Sequence, residues 1–161
     1  MSRRSESIAN KVYRYVHHKD EWIDTNLSER AFKNEWLEIE DNGRIIIKGS
    51  NKNGYAWDGC SPTWYFLQLI WGTPDGRLDY NTEKPITYYA SMVHDILYQF
   101  KKDINISRKE ADILFMKLLK KAKFMWWWLY YIGVRIGGLF YGRWKTRKSA
   151  KKLDINDVSW I

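Results

Sequence analysis

The sequence predicts an α+β fold that is mostly α: a small N-terminal antiparallel hairpin or sheet packed on a core of about three helices. Three observations predict it. Residues 36–48 read WLEIE, then DNG, then RIIIK, two β-prone runs around a turn tripeptide. Residues 86–100 and 107–122 carry helical apolar periodicity and are joined by a short connection, so they pack as an antiparallel pair. A third apolar stretch covers 124–142. With 161 residues, 45% of them hydrophobic, the chain is expected to form a single domain over 1–161. Residues 143–161 are expected to be a basic, mobile C-terminal tail.

The elements follow in order. Residues 7–18 include VYRYV, whose alternation leans toward a strand. In the hairpin, Asn42-Gly43 supplies the positive φ that a tight turn needs. Residues 49–63 read as loop. Ser61-Pro62 can open a short helix over TWYFLQLI, which stops at Trp71-Gly72. Residues 72–85 form a second loop. Pro85 starts a helix that runs to about Phe100. Ser107 and Glu110 fit a capping box, which starts the next helix and carries it to about Ala122.

Composition narrows the function. The lone Cys60 excludes an intramolecular disulfide. The amino terminus lacks an apolar run after its arginines, so no secretory signal is expected. Synthesis in a cytoplasm is expected, with a virion or a membrane surface as later destinations. The formal net charge is +8, unevenly spread. Ile113 to Leu153 contains no Asp or Glu and eleven Lys and Arg. Such a block implies an anionic partner: phospholipid, nucleic acid or an acidic protein surface. Aromatic Trp126, Trp127 and Trp128, with Arg143, Lys145, Arg147 and Lys148, are the candidate membrane or anion contacts. Arg135 near the middle of 124–142 argues against a transmembrane span and for a structural ion pair with a buried carboxylate such as Asp58 or Asp95.

The chemistry centres on ASMVHDILY (90–98). His94 shares a helix face with Ala90, Ser91, Leu97 and Tyr98, and Asp95 lies beside that stripe. On the next helix Asp112 aligns with apolar Phe115, Met116 and Leu119. A carboxylate on an apolar face needs a partner, and His94 is the natural one. Tyr98, one turn after His94, can donate its hydroxyl to the same carboxylate. The plain alternative is a buried polar network that only fixes helix register. In the loop 54–62, Tyr55, Asp58 and Gly59, together with Asp95, could offer oxygen ligands to a hard cation such as Ca²⁺. An ordinary turn with Asp58 as a helix cap explains the loop equally well. His17 and His18 read as surface histidines. No Gly-x-Ser-x-Gly elbow accompanies Ser61 or Ser91.

Taken together, GYxWDGxS (54–61), SxxHDxLY (91–98), RxxADxxF (108–115) and VRxxG (134–138) resemble a phage- and bacteria-associated family of unknown function. The helices are also similar to the catalytic pair of phospholipase A₂. That resemblance implies His94 as the general base activating water, Asp112 orienting it, Tyr98 supporting Asp112, and Ca²⁺ held by Asp95 and the 55–59 loop. The chain departs from that enzyme in two ways. Ala90, Ser91 and Leu97 stand where secreted phospholipases carry cysteines, and Tyr55–Gly59 is not a Gly-x-Gly-Gly loop. A membrane-surface lipid ester hydrolase is the reading carried forward. A non-enzymatic phage or virion structural or assembly protein on the same scaffold is the alternative, and nucleic-acid binding a third. Phage structural proteins are accordingly expected partners beside anionic phospholipid.

Overall fold

The computed structural model describes residues 15–57, 78–79, 82–137, 144 and 152–161. Among them, six strands precede three helices and a seventh strand follows. The strands are β1 (Tyr15–His17), β2 (Asp20–Thr25), β3 (Phe32–Lys33), β4 (Leu37–Ile39), β5 (Arg44–Lys48), β6 (Tyr55–Trp57) and β7 (Ile155–Val158). The helices are α1 (Tyr88–Gln99), α2 (Arg108–Lys121) and α3 (Trp127–Gly137). This corrects the mostly helical expectation. Seven strands in two antiparallel sheets, among the described residues, make the chain strand-rich.

The five-stranded sheet runs β3-β4-β5-β2-β7, and the two-stranded sheet pairs β1 with β6. The expected hairpin is β4–β5, with Leu37 opposite Ile47 and Ile39 opposite Ile45. Its turn needs Gly43. The residue has φ +94°, and an added Cβ would lie 2.5 Å from the Thr25 carbonyl oxygen. Thr25 clasps that turn, its hydroxyl donating to the Gly43 carbonyl at 2.7 Å.

One unexpected strand, β2, has polar residues where a core strand usually has apolar ones. In β2, Glu21, Ile23 and Thr25 all point inward, so two of the three buried positions are polar. Each finds a partner: Glu21 accepts from His17 Nε2 at 3.0 Å and from the Ser159 hydroxyl. His17 is itself buried, its Nδ1 3.2 Å from the Tyr88 hydroxyl. It is not the surface residue that its polar surroundings suggest. The composition of residues 49–63 reads as loop, yet Tyr55–Trp57 pair with β1 and are fully buried. Within 143–161, a tail by its charge, Ile155–Val158 form β7 and extend the sheet beside β2. The short helix predicted at 63–70 lies outside the described residues.

Helices and sheets share one hydrophobic cluster that includes Ile23, Ile45, Trp57, Met92, Ile96, Leu114 and Leu119. β6 lies against α1, where small residues let it approach. Trp57 Nε1 donates to Ser91 Oγ at 3.1 Å, and its ring meets Tyr88 edge-on at 4.8 Å. A buried ion pair ties the segment before β3 to α2: Arg30 Nη1 donates to Glu110 Oε2 at 2.6 Å.

Candidate functional site

The site is built where α1 and α2 face each other. α1 starts one turn after Pro85, whose carbonyl accepts from the Tyr88 amide at 2.7 Å. α2 starts at the expected capping box. Ser107 Oγ accepts from the Glu110 amide at 3.2 Å, and Glu110 Oε2 accepts from the Ser107 amide at 2.8 Å. This fixes the helix start, and so fixes which α2 residues turn toward α1.

Asp112 is the residue so turned. Its side chain is fully buried and accepts three hydrogen bonds. His94 Nε2 lies 3.0 Å and the Tyr98 hydroxyl 2.6 Å from Oδ1. Arg135 Nη1 lies 2.8 Å from Oδ2. An ionised carboxylate accepts only, so Nε2 of His94 carries the proton in this bond and Nδ1 is left as the acceptor nitrogen. Nδ1 makes no hydrogen bond among the described residues. The His94 ring is clamped between Tyr98 at 4.2 Å and Phe115 at 4.8 Å, with 15% of its side chain exposed. Burial and the Asp112 charge push the Tyr98 hydroxyl far above an ordinary phenol, so it stays a donor. Tyr98 is in turn met edge-on by Trp144, whose Nε1 donates to the Ile106 carbonyl at 2.7 Å.

The sequence points Arg135 toward Asp58 or Asp95, and its partner is Asp112 instead. α3 packs on α2, which carries Arg135 to the carboxylate that α2 already buries. Helix periodicity places residues on a face but does not say which face of α2 the third helix covers. The pairing of Arg135 with Asp112 is therefore beyond reach of spacing alone.

Asp95 points elsewhere. The Tyr55 hydroxyl lies 3.3 Å from both Asp95 Oδ2 and Gln99 Oε1, while the Tyr55 ring is buried against Trp57. Asp58 and Gly59, the other expected calcium ligands, lie outside the described residues. Among the described residues, no three His, Cys, Asp or Glu side chains cluster as a metal site. Ca²⁺ takes roughly 6–8 oxygen ligands, so Asp95 and Tyr55 would need Asp58, Gly59 and water to complete a sphere.

The aromatic segment divides by face. Trp127 is half-buried, with Lys120 Nζ 3.7 Å from its ring centre. Trp126 and Trp128 are exposed, and so are Met125, Ile132 and Ile136. Met125, Trp128, Ile132 and Ile136 recur every three or four residues, which makes one apolar stripe leading into and along α3. Arg143, Lys145, Arg147 and Lys148 lie outside the described residues. No helix among the described residues is long and apolar enough to cross a membrane.

The profile of a family described as Protein of unknown function (DUF1353) matches residues 52–134, about half of the chain. That range contains β6, α1, α2 and the His94–Asp112 pair. No curated protein and no solved structure matches the chain.

Proposed function

We propose a role from the geometry of this chain, which belongs to the DUF1353 family of proteins of unknown function: it hydrolyses lipid esters at a membrane surface with His94 as general base. One observation carries the reading. His94 Nε2 is held 3.0 Å from a fully buried Asp112, and Nδ1 is left without a hydrogen bond among the described residues.

Nδ1 removes a proton from water as the water oxygen attacks the ester carbonyl. Asp112 stays ionised, keeps the tautomer and supports the imidazolium. His94 then returns the proton to the departing alkoxide, so ester and water leave as acid and alcohol. Tyr98 and Arg135 touch Asp112 and hold the base in position. The apolar stripe on α3, beside a segment rich in lysine and arginine, supplies the docking face such an enzyme needs on an anionic bilayer.

Purified protein with anionic phospholipid vesicles tests this. Fatty-acid release should fall by at least ~10²-fold in His94→Ala. Trp128→Ser with Ile132→Ser should weaken vesicle binding and leave the melting curve in place. Parallel samples with calcium and with chelator report whether a cation takes part. Absence of release in every sample sinks the enzyme reading.

A second reading has its own support. Asp112 is satisfied by three donors from two helices, as a network that only locks helix packing would require. In that case the chain serves as a structural or assembly protein, and His94→Ala changes stability alone.

A further inference from the structure

A concavity lies away from His94, between the start of α1, the end of α2 and residues 160–161. Its volume is about 250 Å³. Ile86, Ala90, Leu118 and Ala122 form an apolar floor. Tyr89 and Trp160 form one wall, stacked with ring centres 4.5 Å apart and planes 3° from parallel. Rings stacked on each other cover their inner faces, so this wall offers a ligand ring edges or one outer face. Burial, with the Glu21 and Asp79 charges, pushes the Tyr89 hydroxyl up to about 12, so it stays protonated.

The rim is cationic. Lys121 and Lys123 line the opening, are exposed, and make no ion pair among the described residues. Lys120, beside them, sits over Trp127 instead. Asp79 also borders the cavity, but its Oδ1 is engaged by the Thr82 amide and hydroxyl at 3.1 and 3.3 Å. That carboxylate keeps its charge, so the lining side chains set two lysines against one aspartate, an excess of one positive charge. The volume falls below the roughly 300–1,000 Å³ of pockets for drug-sized molecules. One or two fused rings fit; a long acyl chain does not.

We infer that this concavity binds a small planar aromatic carboxylate. The rings lie on the Tyr89–Trp160 wall over the Ala90–Ala122 floor, and the carboxylate meets Lys121 and Lys123. The small side chains at 90 and 122 are what keep the space open. This site is independent of hydrolysis at His94 and stands whether or not that reaction occurs.

Isothermal titration with 2-naphthoate tests it on the full chain. Wild type should bind one equivalent saturably. Lys121→Glu with Lys123→Glu should weaken binding at least ~10-fold, since two attractive charges at the rim become repulsive. Neutral 2-naphthylmethanol should bind more weakly than the acid. Ala122→Leu, which fills the floor, should abolish binding. Trp128→Ser on the α3 stripe should leave the affinity unchanged. The inference is overturned if wild type shows no saturable binding, or if Trp128→Ser removes it. It is equally overturned if the lysine double variant, folded by circular dichroism, binds as wild type does. Both lysines are exposed, so that variant decides the matter even if Ala122→Leu does not fold.

Discussion

Replacing Asp112 by Asn keeps the side chain's shape and removes its charge. In the native protein both carboxylate oxygens accept: His94 and Tyr98 on Oδ1, Arg135 on Oδ2. Asparagine has one accepting oxygen and one donating nitrogen. If the nitrogen takes the Oδ2 place, it faces the Arg135 N–H, donor against donor. If it takes the Oδ1 place, Tyr98 must accept and His94 must move its proton to Nδ1. Either arrangement loses a charge-assisted bond, and those contribute roughly 1.5–3 kcal/mol each. Breaking a fully buried ion pair costs about 3–5 kcal/mol. Arg135 retains 34% side-chain exposure, so water recovers part of that. The expected loss is ~2–4 kcal/mol. In urea this moves the midpoint down by about 1–2 M, for a slope near 2 kcal/mol/M that the substitution leaves unchanged. The cycle completed with Arg135→Met and the double variant should show at least ~1 kcal/mol of coupling. A midpoint shift worth under ~0.5 kcal/mol, or no coupling, would refute the claim that this carboxylate is held as a charged, buried hub.

Two further outcomes follow from the sheet. Burial pushes the Glu21 carboxyl up, but hydrogen bonds from His17 and Ser159 outweigh it and hold the group below its ordinary 4.5. A depressed folded value means stabilisation that is present above the unfolded value and lost as pH falls through the folded one. The stability advantage of wild type over Glu21→Gln should therefore shrink as urea titrations move below about pH 4.5; a constant difference from about pH 6 to 3 would show that Glu21 plays no such part. Gly43→Ala forces a Cβ to within 2.5 Å of the Thr25 carbonyl at φ +94°. It should cost at least ~1–2 kcal/mol, read as a lower urea midpoint, and an unchanged midpoint would mean that the turn yields freely.

What the sequence reveals, and what it hides, divides by the range of the interaction. The β4–β5 hairpin is legible because Asn42-Gly43 is a local turn signal between β-prone runs. α2 is legible because Ser107 and Glu110 sit three residues apart and cap the helix by themselves. The His94–Asp112 pair is legible at one remove: a carboxylate on an apolar helix face demands a partner, and the adjacent helix holds one. The partner of Arg135 is not, since it depends on how α3 docks. Most of the strands are hidden too. β2 turns Glu21 and Thr25 inward, which breaks the alternation that marks a half-buried strand. β6 is three residues long and follows Gly54, so Tyr55–Trp57 looks like part of a loop. β7 reads INDV, and only its pairing with β2 makes it a strand. Of the calcium candidates, Tyr55 and Asp95 meet, while Asp58 and Gly59 lie outside the described residues.

The site presents a problem of attribution that its geometry also resolves. Asp112 lies on α2, His94 and Tyr98 on α1, and Arg135 on α3, so one carboxylate links all three helices. Removing it perturbs packing and any chemistry together, and an activity loss in Asp112→Asn would not separate them. His94 permits the separation because its two nitrogens have different neighbours. Nε2 serves the link to Asp112, and Nδ1 serves only the proposed reaction. His94→Gln offers a side-chain N–H toward Asp112 while removing the base. If the network alone matters, His94→Gln should retain more stability than His94→Ala, and no hydrolysis will be there to lose. If His94 is the base, both variants should lose hydrolysis alike while differing in stability. Equal stability of the two variants would contradict the inference that the His94–Asp112 bond holds α1 against α2.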